Sequence, residues 1–487
     1  MNKKQQGGFH VPDTDEITLT IAYTNDLHSH FGTMGRIAAM IDDLRSEPKS
    51  EMLLLDIGDH MDRAAPETEG TIGHANVDVI NLTGYDAITI GNNEGLTFTP
   101  ELLEETYASL RCPVICNNIV EQRTGQPPGW MRRHHIVRRG PFTIGLIGAT
   151  AAFSDFYRLL GWDALDPMET IQYDVEQLRS QVDLIVVMSH LGIKLDRQLA
   201  EMIPNIDLII GGHTHHLLEE PQIIGKTAIT AAGKFGNYLG KIKFRKNPVS
   251  GKPEIYDGKV LKVEPGVESE IVLHSIDTNR KKAEVRLDRT VTRTDRKLPI
   301  SYTNESPFGN LLAQAVRRFT KSDLSIINSG QLLSELPAGD ISEGMLHERC
   351  PSPINPCTMN LKGEDILYTL EQSLLPDMMD KPIFGYGFRG KVLGGICLDG
   401  MEVMYDPQAE PYRRIVRASI AGIPLEPEMT YRVGTLDMFT FGVGYERLQN
   451  GSELKYMLPL FIRDLLRLEL QAAGAVDSCF LTRWEQI

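Results

Sequence analysis

The sequence predicts an α/β protein built as two domains. Residues 15 to about 245 alternate short apolar runs with helical segments, and residues 299–487 mix strands and helices without that alternation. A charge-dense stretch poor in large apolar side chains, residues 272–298, lies between them. The length agrees: 487 residues exceed the roughly 100–200 that one domain core holds.

Seven runs in the first half read as buried strands. They are residues 17–23 (ITLTIAY), 52–57 (MLLLDI), 87–90 (AITI), 142–147 (FTIGLI), 183–188 (DLIVVM), 207–210 (DLII) and 227–231 (TAITA). Each is short, most are rich in β-branched residues, and Gly, Asn or Asp bounds many of them. Helical patterns at residues 34–45 and 168–182 separate them, as a sheet covered by helices requires. Residues 272–298 read as an exposed linker or long connecting helix. Beyond it come an amphipathic helix at 310–319, a strand at 324–327, a helix at 365–374, a strand at 433–436 and a last helix at 459–470.

Lys and Arg number 50 against 65 Asp and Glu, a net charge of −15. That balance argues against broad nucleic-acid binding and against anionic membranes, while leaving room for an anionic substrate in a local site. No stretch reaches the roughly 18 apolar residues of a membrane span. The start, MNKKQQGGFH, has no apolar core of a secretory signal, so a cytoplasmic location is expected. The six cysteines lack paired C-x-x-C spacing and read as reduced thiols, with a Cys350–Cys357 loop disulfide as the alternative.

Five strands run into metal-type ligands. These are Asn25-Asp26-Leu27-His28, Gly58-Asp59-His60, Gly91-Asn92-Asn93-Glu94, Ser189-His190 and Gly211-Gly212-His213-Thr214-His215. In open α/β sheets the carboxyl ends of strands share one edge, where ligands bind. Singly, each cluster could be a turn or a cap; five in chain order form a pattern.

That pattern resembles the calcineurin-like metallophosphoesterases, and among them the 5′-nucleotidase family. The resemblance covers nearly the whole chain. It implies a four-layered α/β/β/α metal domain (residues 15–271) after a tail (1–14), the linker, and a C-terminal α+β substrate domain (299–487). It also implies two divalent ions (Mn²⁺, Zn²⁺, Co²⁺ or Fe²⁺). One would be held by Asp26, His28 and His215, the other by Asn92, His190 and His213, with Asp59 bridging. Carboxylate, imidazole and amide ligands suit such ions, and a water between them would be acidified into a nucleophile.

Several positions depart from the family. Its G-N-H-E-x-D motif reads Gly91-Asn92-Asn93-Glu94-Gly95-Leu96, so the His–Asp dyad has become Asn93 and Leu96. Asn93 can still donate to a phosphoryl oxygen, with Asn92, but has no proton to give. His60, His30 or His216 could substitute as the acid or could support the ligands. Arg63, in Gly58-Asp59-His60-Met61-Asp62-Arg63, could meet a phosphoryl oxygen or a carboxylate such as Asp62. In the second half, residues 305–312, 328–330, 339–344 and 441–445 resemble family elements. The phosphate-binding arginine has become Leu333, an aromatic has become Ile354, and the ribose-binding Asp has become Val443. Phe439, Phe441 and Tyr445 could stack a base or pack the core.

The expected function is hydrolysis of phosphoesters or phosphoanhydrides, with nucleotides as the substrate class by resemblance. The alternatives are a non-nucleotide ester or cyclic phosphodiester hydrolase, or a catalytically weakened metal-binding regulator. The expected partner is a small phosphorylated substrate, with no nucleic acid, membrane or protein partner.

Overall fold

The computed structural model describes residues 17–487, so the expected tail at 1–14 lies outside the described residues. Two units are present. The first comprises residues up to Met61, Asn76–Gly95 and Glu101–Ile276; the second comprises Asp62–Ala75, Leu96–Pro100 and Asp277–Ile487.

Two sheets face each other in the first unit. In the seven-stranded sheet, Thr18–Thr24, Ser50–Asp56, Ala87–Ile88 and Val114–Ile115 run parallel and adjacent. In the six-stranded sheet, Phe142–Thr150, Leu184–His190, Leu208–Gly211 and Thr227–Thr230 do the same.

Leu184–His190 shows why its apolar run is unbroken. Leu184, Val186 and Met188 join Leu53 and Leu55 in the core between the sheets. Ile185 and Val187 face the other way, onto Val175 and Leu199 of the helices Pro167–Leu178 and Ile193–Met202. Both faces are dry, and each such side chain contributes about 1.5–3 kcal/mol by leaving water. The helix Phe31–Arg45 buries Ile37, Ala38 and Ile41 on its inner side. The unit is therefore the expected α/β/β/α sandwich.

The second unit is α+β. A five-stranded sheet orders Ile396–Asp399, Leu324–Asn328, Thr430–Leu436, Pro356–Lys362 and Ser452–Tyr456. The helix Pro307–Thr320 packs Leu311, Leu312 and Val316 into the same core, starting at Pro307 because proline suits the first helical position. The helix expected at 459–470, Ile462–Leu470, starts later than expected: Asp464 accepts the Phe461 N–H (2.8 Å) and so caps it there, and the short helix Ala475–Ser478 follows it.

Two domain expectations need correction. Residues 272–298 follow the long-helix alternative up to Leu287, in the helix Glu270–Leu287, but the rest is not exposed linker: the strand Thr290–Thr294 pairs with Gly339–Ser342, and Leu298 is fully buried. Asp62–Ala75, inside the expected metal domain, packs with the second unit instead. Glu69 holds it there, accepting from Arg63 (2.7 and 2.9 Å) and pairing with Arg463 (2.9 Å). No helix among the described residues is long and apolar enough to cross a membrane. Cys350 and Cys357 are buried and unlinked.

Candidate metal centre

The five clusters meet at the carboxyl ends of the first unit's strands. Asp26 Oδ1 lies 3.5 Å from His215 Nε2 and 3.9 Å from His28 Nε2, and those two nitrogens are 3.2 Å apart. Asp59 Oδ2 lies 3.4 Å from His190 Nε2 and 3.7 Å from His28 Nε2. Asp26, His28 and His215 form one group able to hold a metal, and Asp26, Asp59 and His190 another. Asn92 Oδ1 and His213 Nδ1 are 2.8 Å apart, and the His213 N–H donates to Asp26.

Five of these residues sit in the left-handed backbone region: Asp26 (φ 51°), His28 (46°), Asp59 (51°), His213 (70°) and His215 (56°). Such conformations cost on the order of 1 kcal/mol or more each and cluster at functional sites. Backbone bonds hold the loops in them: Asp26 N–H to Gly58 O (3.0 Å) and His28 N–H to Asp59 O (2.8 Å). Glycine is required at Gly91, where a Cβ would lie 2.0 Å from Asp59 Oδ1, and fits tightly at Gly212, where one would lie 3.0 Å from His190 Nδ1.

The donor set fits divalent ions. His190 Nδ1 donates to Ile57 O (2.8 Å), which leaves Nε2 buried with no hydrogen-bond partner, facing Asp59. Burial, then the neighbouring His28 and Lys234 charges, hold His215 down to about 3; burial and then His190 hold His213 down to about 4. Both are neutral imidazoles, as ligation requires. Burial opposes charge on Asp59, but His190, then His28, outweigh it and hold that carboxyl far below its ordinary range. Burial leaves Asp26, farther from His190, raised.

Two family models match the chain: "Calcineurin-like phosphoesterase" over residues 19–217 and "5′-nucleotidase, C-terminal domain" over residues 285–449. A Bacillus subtilis protein, the uncharacterized metallophosphoesterase YunD, is 35% identical, covering 93% of this chain and 99% of its own. The chain belongs to the calcineurin-like phosphoesterases of 5′-nucleotidase type. Rat 5′-nucleotidase is 23% identical over 87% of this chain and 82% of its own. The crystal structure of the Haemophilus influenzae NAD nucleotidase shares the fold, with a TM-score of 0.69 at 15% identity over 97% of this chain and all of that one.

Calcineurin-like phosphoesterases use a dinuclear divalent site, and this one's altered positions behave differently from expectation. Asn93 donates its Nδ2–H to Asp59 Oδ2 (2.6 Å) and its N–H to Oδ1 (2.8 Å), so it steadies that carboxylate. His60 is buried, beside Asn76 Nδ2 (3.2 Å) and edge-on to Tyr85, and burial pushes it down to about 3; the expectation of a substitute acid is corrected. Arg63 pairs with a carboxylate, the second of its expected roles, but with Glu69 rather than Asp62; it also donates to Thr97 O (2.8 Å) and lies over the rings of Phe98 and Phe461.

Glu94 has a role the motif did not reveal. Its buried carboxylate accepts N–H bonds from Met61 (2.7 Å), Gly91 (2.8 Å) and Asp59 (3.0 Å), tying two ligand loops together.

Of the three expected stacking aromatics, Phe439 and Tyr445 are fully buried in the second unit's core, and that expectation is corrected. The Tyr445 hydroxyl donates to Gly394 O (2.7 Å), bracing the loop before Ile396. Phe441 is 44% exposed and stacks on Tyr386, which is 57% exposed (centroids 5.9 Å apart). The sequence signal for Tyr386 was the Gly385-Tyr386-Gly387 turn, whose three residues all have positive φ.

Proposed function

We propose that the chain hydrolyses phosphoester or phosphoanhydride bonds of nucleotides. In this reading Asp26, His28 and His215 hold one divalent ion, Asn92, His190 and His213 the second, and Asp59 bridges them. The observation that carries it is the buried His190 Nε2, without a hydrogen-bond partner, 3.4 Å from Asp59 Oδ2 and beside His213 and His215, which burial holds neutral. When bound, such ions acidify water and neutralise phosphoryl charge. Asn93 and Glu94 keep Asp59 in place. The names of nucleotidase relatives support the substrate class.

Asn93 cannot protonate a leaving group, and acid catalysis is worth typically about 10²–10⁴-fold. The reading therefore favours leaving groups stable as anions: phenolates and the phosphates of nucleoside polyphosphates. The test is Mn²⁺-dependent hydrolysis of p-nitrophenyl phosphate, with Asp59→Asn as control. Activity that collapses in the variant is expected; equal activity in both, or none with ions bound, would overturn the hydrolase. Faster turnover of a nucleoside monophosphate than of the diphosphate would overturn the leaving-group preference.

A further inference from the structure

Lys234 lies in the turn between Thr227–Thr230 and Tyr238–Lys246. Among the described residues its ammonium has no ion-pair or hydrogen-bond partner; its contact is the ring of Phe235, with Nζ 4.6 Å from the centroid. Such contacts are attractive enough to bias a flexible side chain.

Phe235 is firmly placed. Its backbone is left-handed (φ 63°) and its N–H donates to Asp26 O (2.8 Å). Its ring stacks on His30 (3.9 Å), meets His28 edge-on (5.7 Å) and leans on His215 (6.5 Å). The ammonium therefore sits over a ring that touches two of the ligands grouped with Asp26.

We propose that Lys234 forms an anion subsite beside the Asp26–His28–His215 group, which takes a phosphate other than the one that reacts. The ligand class is a nucleoside di- or triphosphate. This rests on the hydrolase reading and narrows its substrate. In hydrolysis the water oxygen bonds to phosphorus, the bridging P–O bond breaks with its electron pair on the leaving oxygen, and the proton lost by water passes to solvent. The leaving group departs as an anion because Asn93 supplies no proton, and the ammonium of Lys234 offsets that charge.

The test needs no turnover. Binding of methylenediphosphonate and of methylphosphonate to the Mn²⁺-loaded protein is measured by titration calorimetry for the wild type, Lys234→Met and Lys234→Arg. The wild type should prefer the diphosphonate, and Lys234→Met should lower the ratio of the two affinities about tenfold. Lys234→Arg should keep most of it. The proposal is overturned if the wild type shows no preference, if Lys234→Met leaves the ratio intact, or if it weakens both ligands equally. Hydrolysis assays separate the two readings: a protein that hydrolyses nothing yet shows the Lys234-dependent ratio would overturn the hydrolase and leave the subsite.

Discussion

At the residue scale, the candidate ligands were legible because few side chains can do such work. Asp and His bind divalent ions, and with Asn they are the non-glycine residues that best tolerate the left-handed backbone. The loops exploit both properties at once in Asp26, His28, Asp59, His213 and His215. Glu94 was harder to read, since a buried carboxylate bonded to three backbone N–H groups has no spacing signature. Glu94→Ala would strand those donors, each costing about 1–3 kcal/mol. We expect a lower urea midpoint together with weaker Mn²⁺ binding; a variant that loses neither would show that the tie does not matter.

At the element scale, apolar runs gave the strands, and their unbroken character is explained by sheets buried on both faces. The pattern failed at Thr290–Thr294, where charged neighbours disguised a strand paired with Gly339–Ser342. It also failed at the short helix Asp437–Thr440, whose Phe439 turns inward while Phe441, just past its end, stays exposed. Asp437 in that helix makes a measurable prediction. Burial raises its pKa from 3.8 to about 7, against the N–H bond from Asn355. The folded state thus holds the proton more tightly than the unfolded chain. Stability from this group is full below about pH 4 and is lost as pH rises through 7. Asp437→Asn should remove that slope, leaving the variant more stable at pH 8 by on the order of 4 kcal/mol, with little change at pH 4. Urea unfolding at the two pH values checks it; parallel profiles for both proteins would count against it.

For the whole molecule, acidity and anion chemistry coexist because positive charge is local. With a net charge of −15, the proposed recognition of phosphate would fall to bound divalent ions and to Lys234 in the first unit. Chelation should therefore lower the melting temperature, with Mn²⁺ restoring it; an ion at 100 times its Kd adds about 2.7 kcal/mol. Hydrogen exchange should place the loss in the loops carrying Asp26, Asp59 and His213. Equal loss in the second unit's strand Thr430–Leu436 would contradict this. The sequence by itself determined an α/β first half, an α+β second unit and the order of the candidate ligands, because period, turn residues and ligand chemistry are local properties of the chain; the four layers came from the family resemblance. Only the tertiary structure decided that Arg63 answers to Glu69, that Asp62–Ala75 belongs with the second unit, that Phe439 and Tyr445 are core, and that Phe441 meets Tyr386. Burial and pairing depend on residues as far apart as Glu69 and Arg463, and local spacing carries no record of such distant neighbours.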